Sequence, residues 1–185
     1  MATQKSLDEV YMNCARDVSA LSHAKRKKVG AIIVNDGGII GEGWNGTPSG
    51  FDNACELPEY HTLTNKGNLM RGEFEHEWYC EKCNKTYSHP QEHETILITK
   101  PEVIHAEANA IAKVARSTNR TVGATLYCTL SPCFECAKQI IQAGIKRVVF
   151  LERYPYAGHN GPVRLLGLEL LYQAKIQVEL YENVV

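Results

Sequence analysis

The chain of 185 residues carries almost no net charge: 20 Lys and Arg against 21 Asp and Glu leave a formal −1. That balance gives DNA or RNA no global electrostatic attraction to it. No apolar run approaches the length needed to span a bilayer. The opening stretch, MATQKSLDEV, is polar and lacks the apolar core of a secretory signal, so a soluble, cytoplasmic protein is expected. Internal repeats and low-complexity runs are missing as well. Seven Cys is an odd number for a disulfide framework, and in an intracellular setting it points to metal binding or buried thiols. What is present, 44% hydrophobic and 22% charged residues over this length, suits one domain, 1–185, with a sizeable core.

Residues 6–23 read as a helix. Ser6 and Glu9 have capping-box spacing, and Leu7, Tyr11, Cys14, Ala15, Val18 and Leu21 form its apolar face. VGAIIV (29–34) and GIIGEGW (38–44) read as strands joined by NDGG, a hairpin signal, with the loop NGTPSG after them. Beyond residue 103 the pattern is regular: helix 104–117, strand 124–130, helix 133–143, strand 147–152, helix 162–174 and strand 176–181. Strands alternating with helices imply an α/β layered sheet, partly parallel, and the hairpin makes it mixed. The segment 57–101 breaks this rhythm. It is rich in His, Cys and charge, shows little periodicity, and reads as an insertion too small to bury a core of its own.

The chemistry concentrates in two short motifs, HAEANAI (105–111) and SPCFEC (131–136). Cys133 and Cys136 stand at i and i+3 in the first turn of an expected helix, so both sulfurs point the same way. A helix N-terminus favours thiolate, the form that binds metal. His105 at the start of another helix is the third candidate ligand. Cys₂His is a catalytic zinc set that leaves the fourth tetrahedral position for water, whereas a structural site is usually closed by a fourth side chain. Glu107 can reach that open position, take a proton from the water and return it to a substrate. Two thiolates cancel the formal charge of zinc and blunt its effect on water, which gives a helper base its purpose. A redox pair is the alternative for a lone CxxC, but that motif belongs early in a βαβ unit and has no matched HxE. H-x-E with P-C-x-x-C is a signature of zinc-dependent nucleobase deaminases.

VIHAEANAI, followed by GATLYCTLSPCFECAKQIIQAGIKRVVF, resembles the deoxycytidylate (dCMP) deaminases, as does the GWNGTPSG stretch (43–50); only the segment around 57–101 falls outside the likeness. The resemblance implies a three-layer α/β/α cytidine-deaminase-like fold with a mixed five-stranded central sheet. It implies zinc on His105, Cys133 and Cys136, Glu107 as proton shuttle, and conversion of dCMP to dUMP and ammonia, feeding thymidylate synthesis. Ala106 and Ser131 would contact the cytosine ring, Asn45 the sugar, and Tyr154 would stack on or close over the substrate. A homo-hexamer activated by dCTP, with Mg²⁺, and inhibited by dTTP is also implied, with effectors near Gly43, Trp44, Asn45 and Gly46.

A nucleotide phosphate needs cations. The run Lys25, Arg26, Lys27 and Lys28 can supply them, Arg26 and Lys28 first among its members, against the alternative of a solvated basic loop; Arg153 and Arg164 are further candidates. In the insertion, Cys80, Cys83, His89 and His93 have zinc-finger spacing at both ends, with a short five-residue loop between. Cys55, His61 or His76 can replace one of them, and a structural zinc would pin a core-poor segment. Two other functions stand beside the free-nucleotide deaminase. One is a nucleic-acid base deaminase of the tRNA adenosine type, disfavoured by the charge balance; the other is a non-catalytic zinc module, disfavoured by Glu107.

Overall fold

The computed structural model describes residues 2–59, 64–65, 78–80, 85–87, 96–154 and 166–182. Helix α1, Gln4–Ser19, is capped by Thr3, whose hydroxyl accepts from the Ser6 amide at 3.2 Å. The expected cap at Ser6 is thus displaced by one turn. Met12 and Ala15 are its buried residues, while Leu21, past the helix end, is exposed. Strands β1 (Gly30–Asn35) and β2 (Gly38–Trp44) form the expected hairpin. Asp36 and Gly37 both take positive φ, 49° and 75°, the requirement of the tight turn that Asp-Gly favours.

Residues 2–55 and 101–182 contribute one compact unit, and Glu56–Lys100 a second. In the second, strands β3 (Glu56–Glu59) and β7 (Ile96–Thr99) pair antiparallel. Strands β4 (Thr64–Asn65), β5 (Trp78–Cys80) and β6 (Lys85–Tyr87) make a small antiparallel sheet. The weak periodicity of this segment gave no sign of these strands.

In the first unit, helix α2 (Ala106–Ala115) leads to β8 (Thr125–Leu130), helix α3 (Phe134–Gln142), β9 (Arg147–Glu152), helix α4 (Leu166–Gln173) and β10 (Gln177–Leu180). The sheet order is β10-β9-β8-β1-β2. Strands β8, β9 and β10 run parallel, and β1 pairs antiparallel with both β8 and β2. This is the mixed five-stranded sheet expected. Alternation along the strands splits the core between its faces. Ala31, Ile33, Leu126, Cys128, Val148 and Phe150 pack against α2, α3 and α4. Ile32, Val34, Tyr127 and Val149 pack against Met12 and Ala15 of α1. Two layers of helix around one sheet give the α/β/α architecture.

On the α1 side one polar cluster crosses the layers. Tyr127 donates to Asp8 at 2.6 Å, and Arg147 grips both Asp8 oxygens at 2.7 Å while also pairing with Glu179. Asp8 and Arg147 are 13% and 12% exposed, so the pair is nearly out of water. Burial pushes the Asp8 carboxyl up, yet the hydrogen bonds from Arg147, Tyr127 and Gln4 outweigh it and hold it below its ordinary value. Among the described residues, no helix is long and apolar enough to cross a membrane.

Candidate functional site

Parallel strands deliver their following loops to one edge of a sheet, where α/β proteins build their sites. Here β8 ends into Ser131–Cys133 and β9 into Arg153–Tyr154, and the two ends are tied by the Ser131 amide donating to the Glu152 carbonyl at 2.7 Å. His105 is the N-cap residue of α2 and Cys133 that of α3, and neither side chain is spent on capping. Cys136 lies one turn into α3 and Glu107 in the first turn of α2, both buried.

The three donors converge. His105 Nδ1 lies 3.3 Å from Cys133 Sγ and 3.4 Å from Cys136 Sγ, and all three donor atoms fall within 4.8 Å of one another. A tetrahedral zinc with bonds of about 2.3 Å to sulfur and about 2.0 Å to nitrogen would hold such atoms about 3.5 Å apart. The donor set therefore fits zinc in both element and spacing. Among the described residues this is the single such cluster, and it brings in no fourth His, Cys or carboxylate ligand.

The electrostatics set the two sulfurs apart. The hydrogen bond with Cys136 holds the Cys133 thiol down at about 4, so one sulfur is a thiolate. The same hydrogen bond and burial push Cys136 up. Cys133, hydrogen-bonded to the ring, raises His105. Burial pushes the Glu107 carboxyl up to about 6, against a hydrogen bond from Cys136 that places it beside the donors.

The other expected site residues are placed as follows. Ser131 is buried, and its hydroxyl accepts from the Tyr154 amide at 2.7 Å, so it anchors Tyr154. Burial raises the Tyr154 phenol, which also senses Cys133, Glu107 and, in the opposite direction, Arg26. Lys27 pairs with Glu152, the Lys28 ammonium donates to the Ala20 carbonyl at 3.4 Å, and Arg153 is exposed. Asn45 spends its amide on backbone: Oδ1 accepts from Val29 N at 2.8 Å and Nδ2 donates to the Lys27 carbonyl at 2.9 Å. Ala106 is fully buried. Cys55 is buried, its thiol facing the Asn53 carbonyl at 3.5 Å. Cys83, His61, His76, His89, His93 and Arg164 lie outside the described residues, and of Cys80 only the backbone is described.

Three supporting roles were not foreseen, one of them at Gly43, which was expected beside an effector. A Cβ on Gly43 would stand 2.2 Å from the Ala106 carbonyl oxygen, so its lack of a side chain lets α2 lie against β2. A Cβ on Gly167 would meet the Pro132 carbonyl at 2.1 Å, so α4 packs directly on the loop carrying Cys133. A lone Gly inside a helical pattern is the available signal for the latter. Asn109, a poor helix former in mid-helix, donates to the Trp44 carbonyl at 2.9 Å.

The model of the cytidine and deoxycytidylate deaminase zinc-binding region matches residues 5–152. The deoxycytidylate deaminase of Enterobacteria phage T4 is 40% identical over 152 residues, 77% of each chain. That of Homo sapiens is 34% identical over 161 residues, 85% of this chain and 72% of its own. The crystal structure of dCMP deaminase from the cyanophage S-TIM5 in complex with dCMP and dUMP superposes with a TM-score of 0.69 at 34% identity, covering 97% of this chain and 100% of that one. With the motif residues gathered at one sheet edge and the match running through both motifs, the chain belongs to the cytidine and deoxycytidylate deaminase family.

Proposed function

We propose that this protein hydrolyses dCMP to dUMP and ammonia, with zinc held by His105, Cys133 and Cys136. The observation that carries the reading is the convergence of one imidazole nitrogen and two sulfurs at two helix N-termini, with the buried Glu107 carboxyl beside them. The names of the phage and human relatives supply the substrate.

Zinc, when bound, supplies the Lewis acidity that makes a water nucleophilic near neutral pH. Glu107 takes the proton of the water that attacks carbon 4 and delivers it to the ring nitrogen beside that carbon. The water's second proton goes, again through Glu107, to the exocyclic amino group, which departs as ammonia while the carbonyl of dUMP forms. A carboxyl pushed up to about 6 both accepts and gives protons near neutrality. Tyr154, whose backbone amide is held by the Ser131 hydroxyl, is the residue proposed to close over the base. Arg26 is the cation proposed for the phosphate, since the Lys27 ammonium pairs with Glu152 and the Lys28 ammonium turns to Ala20.

The family resemblance extends the proposal to activation by dCTP with Mg²⁺, inhibition by dTTP around Gly43–Gly46, a homo-hexamer and a cytoplasmic location. Ligand spacing extends it to a second, structural zinc on Cys80, Cys83, His89 and His93.

The test is ammonia release by zinc-loaded protein given dCMP, dCTP, cytidine, deoxycytidine, guanine or a tRNA anticodon stem. Turnover of dCMP is expected. Glu107→Gln should lower kcat by roughly 10²–10⁴-fold while dUMP binding and zinc content persist. Turnover of the anticodon stem in place of dCMP, or of no substrate at all, would overturn the reading.

A further inference from the structure

The two sulfurs of the metal-binding cluster are held differently. Cys136 sits one turn inside α3 and is buried, so the helix itself fixes its backbone. Cys133 is the N-cap of α3, half-buried, at the end of the Ser131–Cys133 loop, with extended backbone (φ −72°, ψ 173°). Its carbonyl is tied to α3 by the Ala137 amide at 2.9 Å, and the Ser131 amide ties the start of the loop to Glu152 of β9 at 2.7 Å. Neither bond involves the peptide unit between Pro132 and Cys133. We propose that the first turn of α4 is the backstop for that peptide, and that Gly167 is a positioning residue for the Cys133 sulfur that sets how tightly the centre holds zinc. The proposal rests on the zinc reading above.

Gly167 touches both peptide units that flank the Cys133 Cα. A Cβ at residue 167 would stand 2.1 Å from the Pro132 carbonyl oxygen, 2.8 Å from the Cys133 carbonyl carbon and 2.9 Å from its oxygen. What occupies that place is a Cα hydrogen aimed at the Pro132 oxygen, a weak Cα–H···O contact. Rotations about the N–Cα and Cα–C bonds of Cys133 are the ones that re-aim its side chain. A helix laid against the peptides on both sides restrains both rotations. The support is firm, because Leu168 and Leu171 of α4, 3% and 0% exposed, root the helix in the core. Zinc sites hold their ligands to within about 0.2 Å of the ideal bond lengths. Cβ atoms do not approach within 3.0 Å, so an alanine at 167 must force α4 and the loop apart by about 0.9 Å. Half of that movement taken up by the loop already exceeds the tolerance of the metal. His105 and Cys136, carried by α2 and the interior of α3, would not move with it.

The experiment measures the zinc dissociation constant by chelator competition, and the rise in Tm on adding zinc, for wild type, Gly167→Ala, Leu168→Ala and Leu171→Ala. Cys133→Ser marks which zinc belongs to this centre. Gly167→Ala should weaken that zinc by about 10- to 100-fold and shrink the rise in Tm. Leu168→Ala, which removes the anchor of the same turn, should weaken it severalfold, and serves alone if Gly167→Ala does not fold. Leu171→Ala empties a core position one turn further along α4. It should lower the Tm of the zinc-free protein comparably to Leu168→Ala yet leave zinc affinity within about twofold of wild type. Unchanged affinity in Gly167→Ala, or in Leu168→Ala where the first variant does not fold, would overturn the proposal. So would an equal loss in Leu171→Ala, which would make zinc binding a reporter of general stability. A wild type holding no zinc that Cys133→Ser loses would instead overturn the metal reading beneath it, before any α4 variant is compared.

Discussion

Strand β2 contains a built-in gradient of tolerance to a single methyl group. Gly38, Gly41 and Gly43 lie on one strand, and a Cβ would meet three different obstacles. At Gly38 the nearest atom is the Asn35 carbonyl oxygen at 3.8 Å, ordinary contact. At Gly41 it is a methyl of the buried Val114 side chain at 2.4 Å, with the Ala110 carbonyl oxygen farther off at 3.2 Å. At Gly43 it is backbone of α2, the Ala106 carbonyl at 2.2 Å and the Ala110 amide at 2.5 Å. Cβ atoms do not approach within 3.0 Å, so α2 must retreat by about 0.8 Å at Ala106, between His105 and Glu107. Overpacking of this kind costs about 1–3 kcal/mol. A displacement of about 1 Å in a reacting group costs about 10²-fold in rate. Gly43→Ala should therefore lose about 2 kcal/mol or more in urea denaturation and about 10²-fold in kcat for dCMP. Gly41→Ala should lose about 1–3 kcal/mol by overpacking against Val114, with a smaller loss of kcat than Gly43→Ala because the contact lies farther along α2 from His105 and Glu107. Gly38→Ala should be neutral or gain up to about 1 kcal/mol, since alanine narrows the unfolded ensemble. A Gly43→Ala enzyme with native kcat, or equal damage at Gly38, would refute the claim that backbone contact at residue 43 places Glu107.

Other outcomes follow from the same structure. Arg147→Met leaves Asp8 nearly buried without its cation and held only by Tyr127 and Gln4, which should cost about 2–3 kcal/mol at pH 7, discounted because Glu179 is 38% exposed. Asp8 is held below its unfolded value of 3.8, so its share of stability is present above that pH and lost as pH falls through the folded value. The gap between wild type and variant should accordingly close below about pH 4 in urea titrations; a gap independent of pH would sink the assignment. Metal analysis of purified protein should find about two zinc per chain, with Cys133→Ser losing one together with activity. One zinc per chain, insensitive to Cys80→Ser, would leave the metal in the insertion without support.

The parts of the fold that obey local rules were legible. Asp-Gly between two apolar runs sets the hairpin, and apolar alternation over 124–130 and 147–152 locates β8 and β9 to within one residue. The cap of α1 was misplaced because Thr3 and Ser6 both offer a hydroxyl near the right spacing. Strands β3 and β7 escaped notice for a different reason. They are short and pair across about forty residues, so the hydrogen bonds that define them leave no local periodicity.

The site divides along the same line. His105, Glu107, Cys133 and Cys136 were legible because metal and proton chemistry admits few residue types, and those types recur at helical spacing in two short motifs. The groups that hold them in place were not, because their partners are remote in sequence. Asn45 reaches residues 16 and 18 positions back, and Asp8 meets Arg147 across 139. The GWNG stretch shows the limit: nothing in its four letters says that the Asn45 amide also braces the Val29 amide and the Lys27 carbonyl, because those partners are fixed by how the chain before β1 lies against the end of β2.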